Sequence, residues 1–178
     1  MKRAAKAPKR VLIVDGYNVI NVRKPVRESL MLEDARRQLT EKLHNYAGYS
    51  GQKIILVFDA WLSDRMQRSI EKRGALEVVF TMKGETADCY IERLCDTFEE
   101  DIRLRRTEVR VATSDLVEQT IAFGRGAIRL SSRELLLEMD SVRPEMPACI
   151  QGSRGGKSTV AERLPADIRA KLEQLRRG

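Results

Sequence analysis

The sequence predicts an α/β fold with a mostly parallel five-stranded sheet flanked by helices on both faces. Three observations predict it. Short runs rich in β-branched residues alternate with longer segments whose apolar residues recur every three or four positions. The short runs are apolar throughout, as strands buried on both faces of a parallel sheet are. The chain has 178 residues, 42% of them hydrophobic, which suits one core of ordinary size and not two.

The elements follow in order. Residues 11–14 (VLIV) form a buried strand that stops at Asp15-Gly16. Residues 29–47 place Leu32, Ala35, Leu39, Leu43 and Tyr46 on one face of an amphipathic helix, closed by Gly48 and Gly51. Residues 53–58 (KIILVF) are a second buried strand ending at Asp59, and 75–80 (ALEVVF) a third. A helix over 86–100 gathers Ala87, Ile91, Leu94, Cys95 and Phe98 on one side. Residues 108–113 make a fourth strand, and Ser114 or Asp115 is suited to cap a helix to about Phe123. Residues 127–130 give a short fifth strand, followed by a helix over 131–139 with a Ser131…Glu134 capping box. Beyond 140 the composition changes to a Pro- and Gly-containing linker. After Pro165, Ile168, Leu172 and Leu175 suggest a short amphipathic helix.

Charge divides the chain in the same places. Lys+Arg number 33 against 26 Asp+Glu, for a net +7. Residues 1–10 carry five basic residues and no acid; residues 151–178 carry seven basic and three acidic; residues 11–150 are slightly acidic. The expected organisation is a basic arm at 1–10, a domain over 11–140, and a linker with a basic helical tail over 141–178. Basic ends fit two readings equally, polyanion binding and simple solvation. No run approaches the 18 or so apolar residues of a membrane helix, and residues 11–14 are too short for the core of a signal peptide. A cytoplasmic location is expected. Cys89, Cys95 and Cys149 form no CxxC, in keeping with a reducing compartment.

The candidate chemistry lies in carboxylates. Asp15 ends the first strand, Asp59 the second, Asp88 sits in the first turn of the helix after the third, and Asp115 follows the fourth. In an open parallel sheet all four belong to the carboxyl edge, where ligands bind. Grouped acids repel one another and raise their pKa values unless a cation sits among them, and hard divalent cations prefer such oxygen ligands. Each Asp taken alone also fits a turn or cap, Asp115 and Asp59 most easily. Glu85 and Glu92 flank Asp88, and Glu92 reads first as an ion-pair partner for an Arg. His44 is the one histidine and lies mid-helix, so Ser-His-Asp and Cys-His enzymes are hard to build and zinc spacing is missing. Gly156-Lys157-Ser158 is no phosphate loop, because position 151 is Gln151 and no strand leads in. No GxGxxG follows the first strand, and Tyr17 stands where a haloacid-dehalogenase-like phosphatase needs a second Asp.

Four motifs in order, DGYN at 15–18, VFDA at 57–60, ETADCYIER at 85–93 and VATSD at 111–115, resemble the successive signatures of the YacP-like NYN domain family, relatives of the PIN-domain nucleases. The motifs cover about 10–140. The resemblance implies a PIN-like three-layer fold with strand order 3-2-1-4-5, and a Mg²⁺- or Mn²⁺-dependent endoribonuclease. Position by position it implies metal binding by Asp15, Asp88 and Asp115, with Asp59 a further acid and Asn18 orienting Asp15 or a bound water. Tyr17 is either core or a base-stacking residue, and Thr113 and Ser114 either cap or bind phosphate. Some family members are linked to ribosome-associated mRNA cleavage, so RNA, mRNA in particular, and the ribosome are the expected partners. Basic candidates for phosphate contact are Arg23, Lys24 and Arg27 after the first strand and Lys83 before Asp88. The alternative is a non-catalytic RNA- or ribosome-binding module with a vestigial acidic pocket; an aromatic content of 5% argues against a broad stacking surface.

Overall fold

The computed structural model describes residues 7–22, 29–60 and 66–142, except for the side chains of 29, 30, 117 and 118. Arg23, Lys24, Arg27, Cys149, the Gly156-Lys157-Ser158 run and the expected C-terminal helix lie outside the described residues.

Six strands and five helices follow in the order β1 (Lys9–Asp15), α1 (Gly16–Asn21), α2 (Ser29–Ser50), β2 (Lys53–Phe58), β3 (Ser69–Arg73), β4 (Leu76–Phe80), α3 (Ala87–Arg103), β5 (Thr107–Ala112), α4 (Leu116–Gly124), β6 (Ile128–Leu130) and α5 (Ser132–Ser141). They form one sheet in the order β3-β4-β2-β1-β5-β6. Every pairing is parallel except β3 with β4. With β3 set aside, the remaining five strands stand in the order expected. The sixth strand corrects the count. Its sequence, SIEKR, is almost wholly exposed, so it carries no apolar run by which a strand is recognised.

Alternation along the strands feeds two cores. Leu12, Val14, Ile54, Leu56, Phe58, Leu76 and Val78 face one way and pack with Val19 of α1, Leu39, Leu43 and Tyr46 of α2, and Leu135 of α5. Val11, Ile13, Ile55, Val57, Val79, Val109 and Val111 face the other way, against Ala87, Ile91 and Cys95 of α3 and Ala122 of α4. Three layers result. Leu12, Ile13 and Val14 are each fully buried, and such a side chain is worth about 1.5–3 kcal/mol. That burial holds β1 in the middle of the sheet.

One helix end and one strand start differ from expectation. Gly48 continues α2, and Gly51 ends it, at φ 64° with its N–H bonded to Ala47 O at 3.0 Å. β1 begins at Lys9, opposite Thr107, so Lys9 and Arg10 belong to the sheet and not to the arm; Arg10 donates to the Ser50 carbonyl. The Ser131–Glu134 capping box is present. Among the described residues no helix is long and apolar enough to cross a membrane.

Candidate active site

Strand order reverses between β1 and β5. β1 pairs with β2 on one side and β5 on the other, and the connections leave in opposite directions from that point. Asp15 is the last residue of β1, and Asp115 lies three residues past the end of β5, so the two acids stand either side of the crevice where ligands of such sheets bind.

Asp15 is buried, with 4% of its surface exposed. It caps α1. Its Oδ1 accepts the backbone N–H of Asn18 at 3.0 Å and its Oδ2 accepts Asn18 Nδ2 at 2.7 Å. The DGYN run is therefore a local device: Asp at the strand end, a short helix beginning at once, and an amide returning to clamp both carboxylate oxygens. Gly16 is needed between them because a Cβ there would lie 2.2 Å from Cε1 of the buried Phe58 ring. Tyr17 packs on the same ring, centroid to centroid 5.3 Å, which settles it as a packing residue of the first core. Helix α1 was not expected from the sequence. At six residues it is too short to show a period.

Asp88 lies in the first turn of α3, whose N-cap Thr86 accepts the Cys89 N–H. It is exposed, as is Asp115, while Asp59 is half-buried. Thr113 is fully buried, and its hydroxyl oxygen accepts the Asp115 N–H at 3.1 Å. Its carbonyl accepts Gln119 Nε2 at 2.7 Å, and Gln119 N–H bonds Asp115 O at 3.0 Å. Thr113 thus fixes the turn that carries Asp115.

Asp15 and Asp88 are perturbed by burial and by the acids around them. Burial lifts the Asp15 carboxyl above its ordinary 3.8, against the lowering effect of its hydrogen bonds, and the charge of Asp59 adds to the rise. Asp88 is raised from 3.8 first by desolvation, then by the charges of Asp15, Asp115 and Asp59. Asp88 and Asp115 also line a cleft of about 290 Å³ between α3 and α4, floored by Ile91, Cys95 and Ala122. Glu92, on its edge, pairs with Arg125 at 3.0 Å, as its ion-pair reading anticipates. Lys83 is exposed in the connection between β4 and α3.

Among the described residues, no three Asp, Glu, His or Cys side chains converge closely enough to enclose an ion by themselves. The donor set is nonetheless that of a hard cation: carboxylate oxygens, two of them with raised pKa values. Mg²⁺ in particular keeps several waters and takes only one or two carboxylates, completing its shell with substrate phosphate.

The YacP-like NYN domain model matches residues 12–177. The chain belongs to that family. The match runs past the motifs, taking in most of the C-terminal segment. A protein from Bacillus subtilis (strain 168) described as "Uncharacterized protein YacP" is 34% identical over 170 residues, covering 94% of this chain and 97% of the relative. Two crystal structures of Rae1 (YacP) from Bacillus subtilis, one a tryptophan-to-leucine variant, are each 38% identical. The variant superposes with a TM-score of 0.60 over 75% of this chain and 76% of the other. The second gives 0.61 over 74% of each. Membership in a PIN-like nuclease family supports a nuclease-like role with RNA as the kind of substrate, and a general dependence on divalent metal.

One feature beside the site is not apparent from the sequence. Glu85 is a buried anchor for two arginines, Arg68 and Arg93, and Arg68 comes from just before β3. Glu85 is visible in the third motif, but its partner is 17 residues away and no local spacing announces it.

Proposed function

We propose that this protein is a divalent-metal-dependent endoribonuclease that hydrolyses RNA phosphodiesters, with mRNA on the ribosome as its setting. The observation that carries the reading is the placement of Asp15 at the end of β1 and Asp115 just past the end of β5, either side of the point where strand order reverses, with Asp59 after β2 and Asp88 in the first turn of α3. Asp15, Asp88 and Asp115 hold the cation, Mg²⁺ or Mn²⁺. A divalent cation there supplies activation of water and charge stabilisation for an in-line displacement at phosphorus. Asn18 holds both oxygens of Asp15 in one orientation, and Thr113 holds the Asp115 turn. Asp59 adds negative charge beside Asp15 and so strengthens the preference for a cation. No side chain serves as a nucleophile, so no covalent enzyme intermediate forms. Lys83, with Arg23, Lys24 and Arg27 of the α1–α2 connection, attracts the phosphate backbone. The basic segments outside the sheet and helices, before Lys9 and after Ser141, act as tethers for a cytoplasmic catalytic body.

Purified protein incubated with end-labelled RNA and Mn²⁺, with and without ribosomes, tests this. Wild type cleaves internally. Asp88→Asn loses on the order of 10³-fold or more while keeping its circular dichroism spectrum, because the exposed side chain caps nothing. Full activity in that variant, or in excess chelator, overturns the proposal. The spacing of the acids, no three of which close on one ion among the described residues, favours the second reading of a non-catalytic RNA- or ribosome-binding module. That reading predicts no cleavage by wild type even with ribosomes present.

A further inference from the structure

Glu85 lies in the connection between β4 and α3, and only 4% of its side chain is exposed. A buried carboxylate needs partners, and this one has two. Arg68 meets it with a paired contact, Nε to Oε2 at 2.6 Å and Nη2 to Oε1 at 2.7 Å. Arg93 reaches Oε1 with Nη2 and turns Nε to the Cys89 carbonyl at 3.4 Å. The Arg68 guanidinium also lies 5.0 Å from the centroid of the Tyr90 ring. Two positive charges therefore share one negative charge, and both heads are held in place. Their side chains remain 35% and 53% exposed. Each guanidinium has five N–H donors, and these contacts leave some of them unspent.

The pair stands beside the acids. β3 runs antiparallel to β4, so its first residue, Ser69, pairs with Phe80 at the carboxyl end of β4. Arg68 consequently arrives at the same edge of the sheet as Asp15, Asp59 and Asp115. On α3, at about 100° per residue, Asp88 and Glu92 fall on one side of the buried Ala87–Ile91–Cys95 stripe, and Tyr90 and Arg93 on the other. The N-terminus of α3 separates a cluster of acids from a pair of cations.

We propose that Arg68 and Arg93, locked on Glu85, form a clamp for a backbone phosphate of the RNA strand, away from the phosphate that is cut. The proposal rests on the endoribonuclease reading for its ligand, and it deepens that reading by giving the strand a direction, from the acids across the start of α3 towards β3. Arginines pre-set by a buried carboxylate lose little freedom when a phosphate binds, and their planar heads suit its oxygens. Solvated lysines on the same surface attract RNA without fixing its register.

Binding of a fluorescent single-stranded RNA oligonucleotide to the full chain, read by anisotropy in excess chelator from about 50 to 200 mM KCl, tests the clamp without any cleavage. Arg93→Gln leaves Glu85 paired with Arg68, so the fold survives. It weakens binding roughly fivefold at low salt and lowers the log–log salt slope by about 0.7. Arg68→Gln does the same, with thermal melting as its check on folding. Arg103→Gln removes the same unit of charge from the far end of α3 and changes affinity by less than about twofold. Equal losses from Arg93→Gln and Arg103→Gln, or none from either, overturn the clamp. Absence of RNA binding by wild type overturns both the clamp and the RNA-substrate reading. The expected contrast without Mn²⁺-dependent cleavage upholds the clamp and overturns hydrolysis alone.

Discussion

The central strand β1 and the edge strand β3 face the same crevice from opposite situations. From Val11 to its end β1 is buried, and it ends in a carboxylate that is itself almost fully shielded from solvent. Of β3 only Ser69 is partly covered, and the residue before it presents a half-exposed guanidinium. A charge at the centre of the sheet is held out of water, and that burial is the main reason the Asp15 carboxyl is raised. A charge at the rim is screened by solvent and is free to meet a mobile ligand. The same edge of one sheet thus carries acids in the middle and a pair of arginines at the side.

The largest effect that breaks this comparison is steric. Gly16→Ala sets a Cβ 2.2 Å from Phe58 Cε1, and Phe58 is itself fully buried and cannot swing clear. A cost of about 2–3 kcal/mol is expected, lowering the melting temperature by roughly 5–10 °C. An unchanged melt shows that the ring has room and that Asp15 is less rigidly placed than described.

A smaller effect concerns Asp15 itself. Its folded pKa lies above the ordinary 3.8, so the folded state binds more protons than the unfolded state in the window just above 3.8. The contribution is favourable below that window and is lost as pH rises through the folded value. Asn caps a helix as well as Asp. In chelator at neutral pH, Asp15→Asn is therefore expected to be the more stable protein. The difference closes below about pH 4. Thermal melts across pH measure it, and Mn²⁺ reverses the order by stabilising wild type alone. A variant less stable than wild type in chelator at pH 7 refutes the account of a strained central charge.

The smallest effect belongs to the rim. Lys72→Ala removes a side chain that is 73% exposed and 3.5 Å from Glu77, and the expected change is within about 0.5 kcal/mol by denaturant titration. A much larger loss there makes the edge hairpin a structural support of the centre.

The same contrast explains what was legible in the sequence. β1, β2 and β4 show because each is a largely apolar run, and β5 and β6 more faintly, through the apolar residues among their charged ones; α2 and α3 show by apolar residues at helical spacing, and α4 and α5 by their caps. β3 is hidden because a solvated edge strand has no such run, and α1 because six residues hold too little periodicity. At the site, Asp15, Asp59, Asp88 and Asp115 are visible from where strands end, which is a local property. The Asn18 clamp on Asp15 is within three residues and was also within reach. The tie between Arg68 and Glu85 was not, since it forms only when β3 folds back on β4. Phosphate contacts sought in Arg23, Lys24 and Arg27 follow charge density, whereas the arginine pair at Glu85 depends on a buried acid that composition does not reveal.

The antiparallel course of β3 has a consequence for how this protein can vary. The strands and helix that carry Asp15, Asp88 and Asp115 are fixed by the two cores, and any change among them disturbs the chemistry. β3 is attached to β4 alone and is almost wholly exposed, so its residues can be exchanged with the acids left in place. If the proposed roles hold, reactivity and choice of substrate are separately adjustable, the first anchored in the interior and the second written along a border that tolerates revision.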